Sequence, residues 1–212
     1  MCSIFLSRSS RSGRGDFMTT RYPEYQALIQ QKLSPKRFRH SVNVMERAVF
    51  LARIVGADPA KAELAGLLHD VEKNTEPKIL LQKLQNSDIL FSYADALLPQ
   101  LWHAPAGMLF VRDKLGIRDP DVLNAIRYHT TGRKDMSPLE KAVYLADLTS
   151  ADRDFPDAGH VRRLSEEDPD GAMLYSLQFI LGDMLRQGKI LHPDSLECYN
   201  QLAAARTPEP VL

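Results

Sequence analysis

Asp58-Pro59-Ala60-Lys61-Ala62-Glu63-Leu64-Ala65-Gly66-Leu67-Leu68-His69-Asp70 decides the reading of this chain. Asp followed by Pro is a helix start: Asp accepts from the first free amides, and Pro suits the first helical position. The apolar residues that follow recur at helical spacing up to Leu68, so the stretch predicts a helix that delivers His69 and Asp70 at its C-terminal end. Similar punctuation recurs on both sides. Val42, Met45, Val49, Ala52 and Ile54-Val55 follow a helical period that Gly56 ends. Pro77 opens a helix over 78–85, and His103 begins one that runs to Lys114 before Gly116. Asp119-Pro120 starts the helix that ends in Tyr128-His129. Ser137-Pro138-Leu139-Glu140 reads as a capping box, and its helix carries Asp147. Asp168-Pro169 opens a long amphipathic helix stopped by Gly188, and Pro193-Asp194 opens the last. No alternating strand pattern of adequate length interrupts them. The expectation is an all-α single-domain helical bundle of about eight helices.

Four of the six histidines, His40, His69, His103 and His129, fall on separate predicted helices beside apolar residues. Asp70 and Asp147 join them. An unpaired carboxylate or imidazole is costly to bury, and one shared cation removes that cost for all of them. Facing helices of a bundle supply such ligands from inward positions. The donor set is nitrogen and carboxylate oxygen without thiolate, which disfavours a structural zinc site and suits Fe, Mn, Co, Ni or Mg. Two arrangements follow. Two metals bridged by Asp70 would use all six side chains. Alternatively one metal takes His40, His69, Asp70 and Asp147, while His103 and His129 face phosphate oxygens.

The remaining sequence sets bounds. The chain has 212 residues, enough for one full domain by the prior of roughly 100–200 residues. Its 27 basic and 27 acidic residues cancel, so bulk charge suggests no nucleic-acid or membrane partner. No helix is basic enough for a DNA-binding module. No apolar run approaches the roughly 20 residues of a membrane span. Cys2 and Cys198 are far apart in sequence, which fits a reducing cytoplasmic setting. Residues 1–21 read as a disordered N-terminal extension, because Met1 to Leu6 is too short for a signal segment and Ser7 to Gly15 is Ser/Arg/Gly-rich. The domain is expected over 22–206, with 207–212 as a C-terminal tail. Either a monomer or a homodimer is compatible with the long apolar helix around Leu174 to Leu185.

These residues resemble an HD-domain phosphohydrolase, and more closely the bacterial YqeK family of symmetrical bis(5′-nucleosyl)-tetraphosphatases. The matching stretches are Arg37-Phe38-Arg39-His40-Ser41, Ala65 to Asp70 with Lys73-Asn74, Leu101 to Gly107, Asn124 to Arg133, Leu145-Ala146-Asp147, Arg153-Asp154-Phe155-Pro156 and His192-Pro193-Asp194-Ser195. They run in order over roughly residues 22 to 205. The resemblance implies an HD-domain fold and symmetrical hydrolysis of diadenosine tetraphosphate to two ADP. It further implies one or two divalent metals with iron foremost, and a small dinucleoside polyphosphate as partner. Another nucleotide substrate (a deoxynucleotide, cyclic nucleotide or guanosine alarmone) or a nucleotide-binding regulator is the alternative.

Asp70 would bridge metals and orient hydroxide, and Lys73, just past the helix end, could reach a phosphate. His103 could protonate the leaving ADP or ligate a second metal. Thr130, Thr131 and Gly132 could bind phosphate oxygens or simply form a helix C-cap. The family match implies phosphate contact by Arg153 and a nucleotide neighbourhood for His192 and Asp194, although Asp194 could instead cap the last helix. Arg133 could also reach a phosphate. In one place the chain departs from the family. Leu148-Thr149-Ser150-Ala151-Asp152 stands where the family usually reads Tyr-Ile-Glu-Pro after the aspartate.

Overall fold

The structure, a computed structural model, describes residues 20–207. Among the described residues eleven α-helices follow one another: α1 (Pro23–Lys32), α2 (Pro35–Val55), α3 (Pro59–Leu68), α4 (Pro77–Gln85), α5 (Tyr93–Leu97), α6 (His103–Asp113), α7 (Pro120–Arg127), α8 (Pro138–Thr149), α9 (Ala158–Glu167), α10 (Pro169–Arg186) and α11 (Pro193–Ala204). A 3-10 turn, Pro99–Leu101, precedes α6. The described residues contain no strand. The helices beyond the expected eight are α1, α5 and α9. α1 and α9 have no side-chain cap bond, and α5, although Ser92 and Asp95 form a capping box, spans only five residues.

Where the punctuation is strong, it works as physics requires. Asp58 accepts from Ala60 N, Asp119 from Asp121 N and Val122 N, and Ser137 with Glu140 forms a reciprocal capping box. Gly56 ends α2 with φ of 76°, a conformation glycine adopts without a Cβ penalty.

The core lies between α2, α3, α7 and α8. Val42, Met45, Ala48 and Leu51 of α2 meet Ala62, Ala65, Leu67 and Leu68 of α3, all fully buried. Gly66 permits the contact: a Cβ there would stand 2.9 Å from Met45 Cα. That close approach brings His40 on α2 beside the end of α3. Tyr144 and Leu145 of α8 and Ile126 of α7 complete the core. No described helix is long and apolar enough to cross a membrane. The readings for residues 1–19 and 208–212, including Cys2, lie outside the described residues. Thr20 is 9% exposed and donates to Glu63 Oε1 at 2.7 Å, and Arg21 N reaches the same oxygen at 2.6 Å.

Candidate metal centre

Three histidines sit where helices begin or end. His69 follows α3, His129 lies just past α7, and His103 opens α6 after the 3-10 turn. In each, Nδ1 donates to the main-chain carbonyl three residues earlier: His69 to Gly66 O at 2.7 Å, His103 to Gln100 O at 3.0 Å, His129 to Ile126 O at 2.8 Å. A carbonyl only accepts, so these bonds put the proton on Nδ1 and leave a lone pair on Nε2 of the neutral ring. Carbonyls near helix ends lack helical partners, which makes them available.

The three Nε2 atoms converge on Asp70. Its Oδ1 lies 3.2 Å from His103 Nε2 and 3.6 Å from His129 Nε2, and its Oδ2 lies 3.5 Å from His69 Nε2. His103 and His129 approach each other at 3.4 Å through Nε2. His40 comes from the middle of α2. Its Nε2 is 2.9 Å from Asp147 Oδ1 and 3.9 Å from Asp70 Oδ2. All four imidazoles and Asp70 are buried. His40 Nε2, His69 Nε2 and Asp70 Oδ1 nevertheless have no partner in hydrogen-bonding geometry. Lone pairs facing lone pairs in a dry site are costly unless a cation lies among them.

The donor atoms therefore fit a divalent cation. Two sets have ligand atoms within 4.8 Å of one another: His40, His69 and Asp147, and His69, Asp70 and His129. The structure thus brings together all six residues expected as ligands.

The surrounding charges act on the same atoms. Burial opposes ionisation of Asp147, yet the Arg153 guanidinium helps keep its pKa low. Burial pushes His103 down to about 4, so its ring is neutral at pH 7. Lys73 Nζ lies 3.1 Å from His103 Nε2, and burial lowers its pKa also.

Other expected residues take varied places. Arg153 donates to the carboxylate and main-chain oxygen of Asp147. Arg133 is committed elsewhere: its fork grips buried Glu140 at 2.7 and 2.9 Å. Thr130 and Thr131 line a cleft with Trp102, Tyr128, His192 and Asp194. Gly132 has φ of 64° and its N–H donates to Tyr128 O, closing a turn beyond the helix, whose C-cap is Tyr128 and not Gly132. The cap of α11 is His192, not Asp194: His192 Nδ1 accepts from Asp194 N at 3.2 Å, and Nε2 meets Asp95 Oδ1 at 3.0 Å. Asp194 keeps a raised pKa, chiefly through burial.

Two residues with no role expected from sequence join the site. The Arg37 guanidinium donates to Asp70 Oδ2 at 2.8 Å. Asp152 accepts from His40 Nδ1 at 2.9 Å; burial would raise its pKa, but Asn43 and His40 pull it down to about 2. Nothing local marks either one, since each meets its partner across 33 and 112 residues of chain. Arg37, Lys36, Lys73 and Arg153 rim an open cleft that reaches His40.

A bundle that holds four histidines and two aspartates in this way is that of an HD-domain protein, and the family model described as HD domain matches residues 37–152. A curated relative from Halalkalibacterium halodurans, named bis(5′-nucleosyl)-tetraphosphatase, symmetrical, is 44% identical over 82% of this chain and 93% of its own. A Bacillus subtilis protein of the same name is 36% identical over 84% of this chain and 95% of its own. A Clostridium acetobutylicum crystal structure, described as a "predicted HD superfamily hydrolase involved in NAD metabolism", superposes with a TM-score of 0.84 at 35% identity, covering 87% of this chain and 97% of that one. The chain belongs to the HD-domain family of hydrolases and, within it, to the family of symmetrical bis(5′-nucleosyl)-tetraphosphatases.

Proposed function

We propose that this protein hydrolyses diadenosine tetraphosphate symmetrically, one water entering at the centre of the tetraphosphate and two ADP leaving. The observation that carries the reading is the convergence of unpaired lone pairs from His40, His69 and Asp70 in a chain so similar to enzymes of that name. His40, His69, Asp70 and Asp147 would hold a divalent ion, iron foremost and Mn, Co or Mg otherwise. His103 and His129 would serve a second ion or face phosphate. Such an ion lowers the pKa of a bound water towards neutrality and neutralises phosphoryl oxygens.

The chain's own residues do the rest. Asp70 orients the attacking water through its inward oxygen. The cleft rimmed by Lys36, Arg37, Lys73 and Arg153 offsets the charge of the polyphosphate, whose transfer depends on positioning and charge stabilisation. Lys73, 3.1 Å from His103 Nε2, would donate to the departing phosphate. His103, with its pKa near 4, is neutral at pH 7 and acts as ligand or phosphate contact rather than as acid. Thr130, Thr131, His192 and Asp194 line the neighbouring cleft and would meet the nucleoside end. The cytoplasm is the compartment proposed, with the small dinucleotide as partner and neither nucleic acid nor membrane involved.

Product analysis tests the reading. Metal-loaded enzyme given diadenosine tetraphosphate should yield ADP alone. AMP plus ATP would refute symmetrical cleavage. A higher kcat/KM for a deoxynucleotide, a cyclic nucleotide, a guanosine alarmone or a pyridine dinucleotide would move the substrate elsewhere.

A further inference from the structure

His69, His103 and His129 each have their rings tied by local main chain. His40 cannot use that device, because it sits inside α2, where main-chain carbonyls already accept helical hydrogen bonds. Its Nδ1 instead meets Asp152 Oδ2 at 2.9 Å. Asp152 lies in the turn after α8 and is itself held. Its Oδ1 accepts from Asn43 Nδ2 at 3.0 Å, one turn along α2 from His40, and from Ser150 Oγ at 2.9 Å. This is the segment, Leu148 to Asp152, that departs from the usual family sequence.

We propose, resting on the metal-centre reading above, that Asp152 is the positioning residue of His40, holding the proton on Nδ1 and aiming Nε2 at the cation. A carboxylate on the far nitrogen of a ligand histidine fixes its tautomer and orientation and makes the near nitrogen a stronger donor. The same contact joins the turn that carries Arg153 to α2. The Asp152 side chain is 36% exposed, so truncating it opens no core cavity, and loss of metal binding would not reflect loss of fold.

The test is calorimetric titration of metal-free protein with Mn2+, for wild type, Asp152→Ala, Asp152→Asn and His40→Ala, with circular dichroism as the check on folding. Asp152→Ala should bind Mn2+ about 10–100-fold more weakly with its helical signal intact. Asp152→Asn, which keeps an oxygen for the Nδ1 proton, should recover most of that loss. Nitrogen-15 NMR of the imidazoles should show His40 protonated on Nδ1 in wild type and mixed between tautomers in Asp152→Ala. If His40→Ala weakens Mn2+ binding while Asp152→Ala does not, the positioning role is wrong. Equal losses in Asp152→Ala and Asp152→Asn would also overturn it, because bare charge and not hydrogen bonding would then be at work. If His40→Ala leaves affinity unchanged, the metal reading itself fails, whatever Asp152 does.

Discussion

Asp70 and Glu72 stand two residues apart at the end of α3, and both are buried, at 2% and 0% exposure. Their surroundings differ completely. Glu72 is paired on every side: Lys83 at 2.8 Å, Lys32 at 3.4 Å and the Thr75 hydroxyl at 2.6 Å. Asp70 has Arg37 on one oxygen, while the other faces ring nitrogens that carry lone pairs. Burial of a carboxylate thus does not mark a site. What separates the two is whether the buried oxygens are satisfied by this chain alone. Glu72 ties α1, α4 and the end of α3 together as an internal salt link, whereas Asp70 awaits something positive.

That contrast can be broken in three ways. The largest effect is expected at Asp70. Asp70→Asn should lower kcat/KM for diadenosine tetraphosphate by about 10²–10³-fold, of the order lost when a principal charge-stabilising group is removed. Its unfolding midpoint should change little. Steady-state kinetics beside a denaturant melt decides, and an enzyme of near wild-type rate would place Asp70 with Glu72 as a structural acid.

Next comes the opposite pattern at Glu72. The double change Lys32→Ala with Lys83→Ala strips its cations while leaving the acid buried. Stranding a buried charge costs about 3 kcal/mol, read as a lower urea midpoint. Activity per folded molecule should stay near wild type, since neither lysine approaches the His–Asp cluster.

The smallest effect concerns pH. Burial would raise the Glu72 carboxyl, but Lys83, Thr75 and Lys32 outweigh it and lower its pKa below the ordinary 4.5. Its contribution to stability is therefore full above pH 4.5 and fades as pH falls through the lower folded value. Glu72→Gln should lose about 1 kcal/mol against wild type near neutrality, and the gap should close in acid. Urea melts of both proteins across pH 3 to 7 measure it; a gap that widened in acid would reverse the sign of the coupling.

Most helices were legible because their starts carry a chemical mark. Asp58, Asp119, Ser137 and Asp168 all accept main-chain hydrogens just ahead of a proline. α9 has no such mark: it presents mostly polar residues, with Val161 and Leu164 facing its neighbours. The histidines could be placed on helices, and three of them at helix ends, from sequence alone. Position at an end is also what ties those three rings to local carbonyls, an orientation that only the structure shows. Reading Asp194 as the cap of α11 failed, because the His192 ring reaches back to take that amide hydrogen.

By itself, then, the sequence determined an all-helical chain and a nitrogen–carboxylate donor set drawn from five helices or helix ends, because caps, periodicity and residue chemistry act over a few residues. Tertiary structure alone decided which buried carboxylate is satisfied and which is not. It also placed Arg37 on Asp70 and Asp152 on His40. Those contacts depend on how closely α2 packs on α3 at Gly66 and where the turn after α8 lands, and such distances arise only when the whole bundle closes.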